Sequence, residues 1–248
     1  MLTNLNTSNS FMNLGAITLL QGRCSEATSY FTKALAIDST NAGSFVNLGS
    51  AFRCMGNSTE AIRQYKTALK LRPTMHPALL NLAIMLADAG RPEEALTRCS
   101  VAAGLEPKSY FPKWCEAYVW LGRKDGTTVN NMTNAIKALQ IVYNIAQQGD
   151  PPQFPADALL DMVDAFLLKG DPKSAQKEVS KVISYFNRAS GGANTLARAH
   201  LYLGRVSSRL GDKAKRDSEF KLAQKLDPYI KYQNLLDWQP PWSRDDFN

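Results

Sequence analysis

Apolar and polar positions along this chain follow the period of an amphipathic helix, and the helix-length stretches are broken at intervals by glycine and proline. A second, longer period overlies the first. "FMNLG" at 11–15, "FVNLG" at 45–49 and "LLNLA" at 79–83 share one register, so Asn13, Asn47 and Asn81 stand 34 residues apart. The segments 11–41, 45–75 and 79–109 align without gaps. Gly15, Gly49 and Ala83 are small, and Gly22, Gly56 and Gly90 close a first helix. Ala27, Ala61 and Ala95 open a second helix, with Ala34, Ala68 and Ala102 two turns further on. A fixed period of this length marks a repeated supersecondary unit.

Each recurring residue has a physical task. A glycine just past a helix supplies a left-handed C-cap. Ser25 and Ser58 are expected as N-caps, and Pro92 fits a first helical turn. The small residues allow two antiparallel helices to approach closely. Leu14, Leu48 and Leu82 are expected to fill the space between them, and Pro73 and Pro107 punctuate the unit ends.

These residues resemble the tetratricopeptide repeat. Its signature, W-x2-L-G-x2-Y with later A, F, A and P, is met by Phe45, Leu48, Gly49, Phe52, Ala61, Tyr65, Ala68 and Pro73. The resemblance implies an all-α fold: a right-handed superhelical solenoid of antiparallel helix pairs whose first helices line a concave surface. Residues 1–7 read as a lead-in and 8–109 as three regular units. Residues 110–155 read as a degenerate fourth unit ending in the break "GDPPQFP". Leu159, Met162, Val163 and Phe166 before Gly170, then Ala175 and Val179, open a further pair of units over 156–228. The last of these carries Arg216 where alanine is usual. Residues 229–248 read as a capping helix and tail, with Trp238 and Trp242 either folded back as part of the cap or anchoring a partner. Trp114 and Trp120 are expected to pack within the fourth unit.

Composition narrows the chemistry. The chain has 248 residues, 29 Lys+Arg against 22 Asp+Glu, and a net charge of +7, too small an excess to imply nucleic acid. Cys24, Cys54, Cys99 and Cys115 form no C-x-x-C pair and are expected as buried thiols in a reducing compartment, hence a cytoplasmic location. No signal peptide or transmembrane run is apparent. His76 reads as a helix-boundary residue and His200 as a packed core histidine. No nucleotide-binding or zinc motif occurs, so no enzyme, metal or cofactor is expected.

By the resemblance, Asn13, Asn47 and Asn81 lie on the concave surface. A carboxamide carries both donors and an acceptor and can pair with a peptide group. First helices roughly 8–10 Å apart would present one asparagine to about every third residue of an extended strand advancing roughly 3.3–3.6 Å per residue. The front three repeats are in this respect similar to the array of O-linked N-acetylglucosamine transferase, whose asparagine ladder grips extended polypeptide. Met12, Val46, Leu80 and Ile84 are expected to give this groove neutral walls, and Asp161 and Tyr202 to hold the equivalent ladder slots in later units. The residues of a chaperone-tail clamp are missing: Met12, Ala16, Pro77 and Asn81 replace its lysines, asparagine and arginine, and only Asn47 matches. Asp157, Asp161 and Asp164 share a helical face and precede Arg198, Tyr202 and Arg205 by a constant 41 residues. That offset predicts ion pairs between neighbouring units, with Asp161 near the Tyr202 hydroxyl; a docking patch for basic residues of a ligand is the alternative reading of the three carboxylates. The expected function is a protein-interaction scaffold for an extended polypeptide. A substrate-selecting array of a glycosyltransferase and a helical-repeat RNA-binding protein are the alternatives.

Overall fold

The computed structural model describes residues 7–122, 128–148, 155–188, 192–228 and 230. The expected capping helix with Trp238 and Trp242, nearly all of the lead-in and most of the proline-rich break lie outside the described residues. Twelve helices and no strand occur among those described. They divide after Pro107 into two compact units. The first unit holds α1 (Ser8–Leu20), α2 (Cys24–Ile37), α3 (Ala42–Cys54), α4 (Ser58–Leu71), α5 (His76–Asp88) and α6 (Pro92–Leu105). The second holds α7 (Phe111–Gly122), α8 (Thr128–Gln148), α9 (Ala156–Lys169), α10 (Pro172–Phe186), α11 (Ala193–Arg209) and α12 (Lys213–Leu226).

Within each unit every helix packs on the next in sequence, and first helices also touch one another: α1 with α3, α3 with α5, α9 with α11. The hairpin turns follow the glycines. Gly22, Gly56, Gly90, Gly170 and Gly211 all have positive φ, between 73° and 83°, where a side chain would be strained. The capping residues differ from expectation. Arg23 precedes α2 without a side-chain cap, so Ser25 lies inside the helix. Asn57 caps α4 by accepting from the Glu60 N–H, which places Ser58 one residue inside. Asn precedes Ser in the chain and binds the same orphan donors, so it takes the cap. Pro92 does occupy the first turn of α6.

An aromatic ring on a glycine joins the two helices of a hairpin. A Cβ on Gly15 would lie 2.6 Å from the Phe31 ring, and one on Gly49 would lie 2.7 Å from Tyr65. Phe31 and Tyr65 are fully buried, and the Tyr65 hydroxyl lies 3.1 Å from Ser50 Oγ. Leu48 and Leu82 are buried as expected, but Leu14 is 37 % exposed. Phe31 and Ala27 of α2 cover Leu48, whereas among the described residues no helix precedes α1 to cover Leu14. Ile17 and Leu20 share that exposed face.

The cysteines are not free thiols. Cys24, opening α2, and Cys54, closing α3, form a disulfide with Cα atoms 5.9 Å apart, and none of the four cysteines is free. Cys24 and Cys54 are not buried either, whereas Cys99 and Cys115 are. The pairing removes the argument for a reducing compartment, because it depended on unpaired sulfur. Among the described residues no helix is long and apolar enough to cross a membrane.

Two stability tests follow from this packing. Gly49→Ala should lower the unfolding free energy by about 1–3 kcal/mol, since the gain in helix propensity is smaller than the cost of overpacking against a buried ring. Gly104→Ala, in an exposed turn of α6 with open space around it, should instead raise it by about 0.5–1 kcal/mol. Urea denaturation distinguishes the signs. For the disulfide, non-reducing peptide mapping should recover a Cys24–Cys54 cross-linked peptide. The Cys24→Ser/Cys54→Ser variant should lose roughly 2–4 kcal/mol, as befits opening a loop of 30 residues.

Candidate functional site

The asparagine ladder lies on α1, α3 and α5, the adjoining first helices of the first unit. Its rungs differ in depth. Asn13 is exposed, Asn47 half-buried, and Asn81 only 9 % exposed. Among the described residues none of the three carboxamides makes a hydrogen bond, so they do not bond to one another. An amide this close to burial loses free energy unless water or a ligand satisfies it.

The expected neutral walls need correction. Met12 is half-buried, but Val46, Leu80 and Ile84 are 6 %, 1 % and 2 % exposed and belong to the core. Successive helical residues are about 100° apart. On α3, with first helices on both sides, that rotation carries Val46 out of reach of solvent. On α5 ten residues are buried, so almost the whole circumference is covered and Leu80 and Ile84 with it.

The charged cluster of the second unit is built between α9 and α11. Arg198 Nη1 donates to Asp157 Oδ1 at 2.7 Å, and Arg205 Nη1 donates to Asp164 Oδ1 at 2.6 Å. Both are the pairs anticipated from the 41-residue offset. The Tyr202 hydroxyl, however, donates to Asp164 Oδ2 at 2.9 Å rather than to Asp161. Asp161 instead accepts from Trp114 Nε1 of α7 at 2.8 Å. It is 3 % exposed, so it holds no open ladder slot. Trp114 therefore reaches beyond its own hairpin. The fourth unit has no legible register, so nothing in the sequence signals that contact across 47 residues.

Electrostatics separates the three carboxylates. Burial pushes Asp161 well above the usual carboxylate range. Asp157 and Asp164 add to the shift, while the Trp114 N–H and Arg198 oppose it. Burial also raises Asp164, and Arg205 and the Tyr202 hydroxyl pull it back. The Tyr202 phenol is itself raised well above its ordinary value by burial and by Asp164. His200 is buried as expected, with Nδ1 2.6 Å from Glu219 Oε2. His76 opens α5, and burial lowers its pKa against the opposing pull of Glu106. No group of three or more His, Cys, Asp or Glu side chains could hold a metal among the described residues.

A chain of paired helices with this glycine-and-aromatic packing matches known proteins in fold. Residues 46–109 match the tetratricopeptide repeat family model. No curated protein matches the chain. Among solved structures it is similar to a tetratricopeptide repeat protein from Parabacteroides merdae ATCC 43184 (19 % identity, TM-score 0.68), covering 91 % of this chain and 80 % of that one. It is also similar to PilF of Pseudomonas aeruginosa (19 % identity, TM-score 0.64), covering 90 % and 93 %. A third is PilW, a widely conserved type IV pilus biogenesis factor (17 % identity, TM-score 0.71), covering 90 % and 95 %. Identities this low establish the solenoid of helix pairs and nothing about partners.

A buried carboxyl whose folded-state pKa is raised binds its proton more tightly folded than unfolded. Its contribution to stability is therefore fully present below the unfolded pKa and is lost as pH rises through the folded one. Asp161→Asn keeps an acceptor for Trp114 and removes the titration. The variant should be more stable than the parent at pH 7, and the advantage should shrink as pH falls toward 4. Urea denaturation across that range checks it; a difference independent of pH would contradict the assignment.

Proposed function

We propose that this chain is a non-catalytic interaction scaffold that holds an extended segment of a partner protein along the first helices of its first unit. Asn13, Asn47 and Asn81 are the contact residues. What supports the reading is that three carboxamides at one repeat position stand without hydrogen bonds, including Asn81 at the edge of burial. A partner's peptide groups offer the donors and acceptors they lack. Such contacts follow backbone, so sequence preference would come from side chains flanking the ladder. Met12 is the neutral neighbour that remains accessible, and Val46, Leu80 and Ile84 act as the packed support beneath. The asparagine ladder of the glycosyltransferase array provides the analogy for this mode of grip.

The decisive comparison is affinity capture with the full chain and its Asn13→Ala/Asn47→Ala/Asn81→Ala variant. Amide–peptide hydrogen bonds contribute about 0.5–1.5 kcal/mol each, so the variant should bind a captured partner roughly tenfold to two-thousandfold more weakly. Its melting temperature should stay near the parent's, because the side chains make no internal bonds. Equal recovery of the same partners by both proteins would sink the ladder.

A further inference from the structure

The sixth hairpin departs from the repeat at Arg216, and the departure coincides with a cavity. At the corresponding position of four other hairpins stand Ala27, Ala61, Ala95 and Ala175, each 0 % exposed, sealing the second helix onto the first. Arginine cannot be sealed in this way, and its side chain is 34 % exposed. Around it lies a cavity of about 580 Å³ between α9, α11 and α12. Leu167, Leu168 and Phe220 give it apolar walls, and Arg205, Arg209 and Arg216 give it guanidinium groups.

The charges in this cavity do not cancel. Arg205 is engaged by Asp164. Arg216 donates through Nε to its neighbour Asp217 at 2.8 Å, which leaves its terminal nitrogens unbonded. Arg209, exposed in the last turn of α11, has no bonded partner among the described residues. Two lined carboxylates thus face three guanidinium groups. Leu168, 46 % exposed, presents an apolar surface beside the two with free N–H groups.

We infer that this cavity is a second docking site, which takes an acidic segment of a partner polypeptide. A carboxylate side chain would pair with Arg209 and Arg216, and an adjacent large apolar side chain would rest on Leu168 and Phe220. Guanidinium–carboxylate pairs are directional and charge-assisted, and the apolar wall adds what a bare anion cannot use. The site lies in the second unit and is independent of the amide ladder.

The test is fluorescence anisotropy of the full chain with a labelled hexapeptide of alternating aspartate and leucine. Two control peptides replace aspartate by asparagine, or leucine by serine. The acidic, apolar peptide should bind at least tenfold more tightly than either control, and binding should weaken with added salt. Arg209→Gln/Arg216→Gln should weaken it at least tenfold. Arg216→Ala restores the residue found in the other hairpins, so it should lose binding while keeping or raising the melting temperature. Asn13→Ala/Asn47→Ala/Asn81→Ala should leave this binding unchanged, which separates the two sites. Unaltered affinity in Arg216→Ala, or equal binding of the aspartate–serine control, would overturn the proposal; the latter would reduce the cavity to a general attraction for anions.

Discussion

The contact on which three of the hairpins depend is that between a glycine at position 15, 49 or 204 on a first helix and the aromatic ring sixteen residues later on the second. The glycine–ring pairs are Gly15–Phe31, Gly49–Tyr65 and Gly204–Phe220; Ala83–Cys99 and Val163–Val179 stand at the same spacing in the sequence. Where the second residue is an aromatic ring, the first has no side chain at all. Where it shrinks to cysteine or valine, the first grows to alanine or valine. Close packing leaves little room for anything else. In these three hairpins the ring fills the space the glycine leaves, and the left-handed glycine in the turn brings the two helices back to back.

Stacking then sets how each first helix meets solvent. Equivalent residues are not equally exposed: Leu14 is open and Leu48 closed, Asn13 open and Asn81 nearly closed. The difference lies in the neighbours. A repeat position fixes the direction of a side chain, whereas burial depends on whether another helix lies there. The same consideration explains why Val46, Leu80 and Ile84 are buried.

The two units use polarity differently. In the first, the distinctive polar groups are the uncharged amides of Asn13, Asn47 and Asn81, which have no hydrogen-bond partner among the described residues. In the second, acidic residues of α9 are largely consumed by basic and phenolic residues of α11. Replacing such a pair with apolar side chains would often be no less stable, but removing one partner alone strands a buried charge. Arg205 and Asp164 are therefore fixtures of the packing. Of the three guanidinium groups that line the cavity, those of Arg209 and Arg216 are not taken up by α9, and they stand in the hairpin whose second helix carries arginine at the position of the other hairpins' alanine.

By itself the sequence determined the hairpins, since their period, turn glycines and paired volumes are local or nearly so. It also anticipated Asp157–Arg198 and Asp164–Arg205, because a constant offset between successive units becomes a contact once the units stack. Other features were decided only by tertiary structure. Asp161 and Tyr202 share a repeat position with the asparagines, yet Asp161 turned to Trp114 of the irregular fourth unit, for which no register could be read. A separation of 30 residues carries no pairing signal of its own, yet α2 and α3 bring Cys24 and Cys54 together. Periodicity encodes which way a side chain points from its own helix; what it meets there depends on the neighbouring helices, and that information is not held in any one repeat.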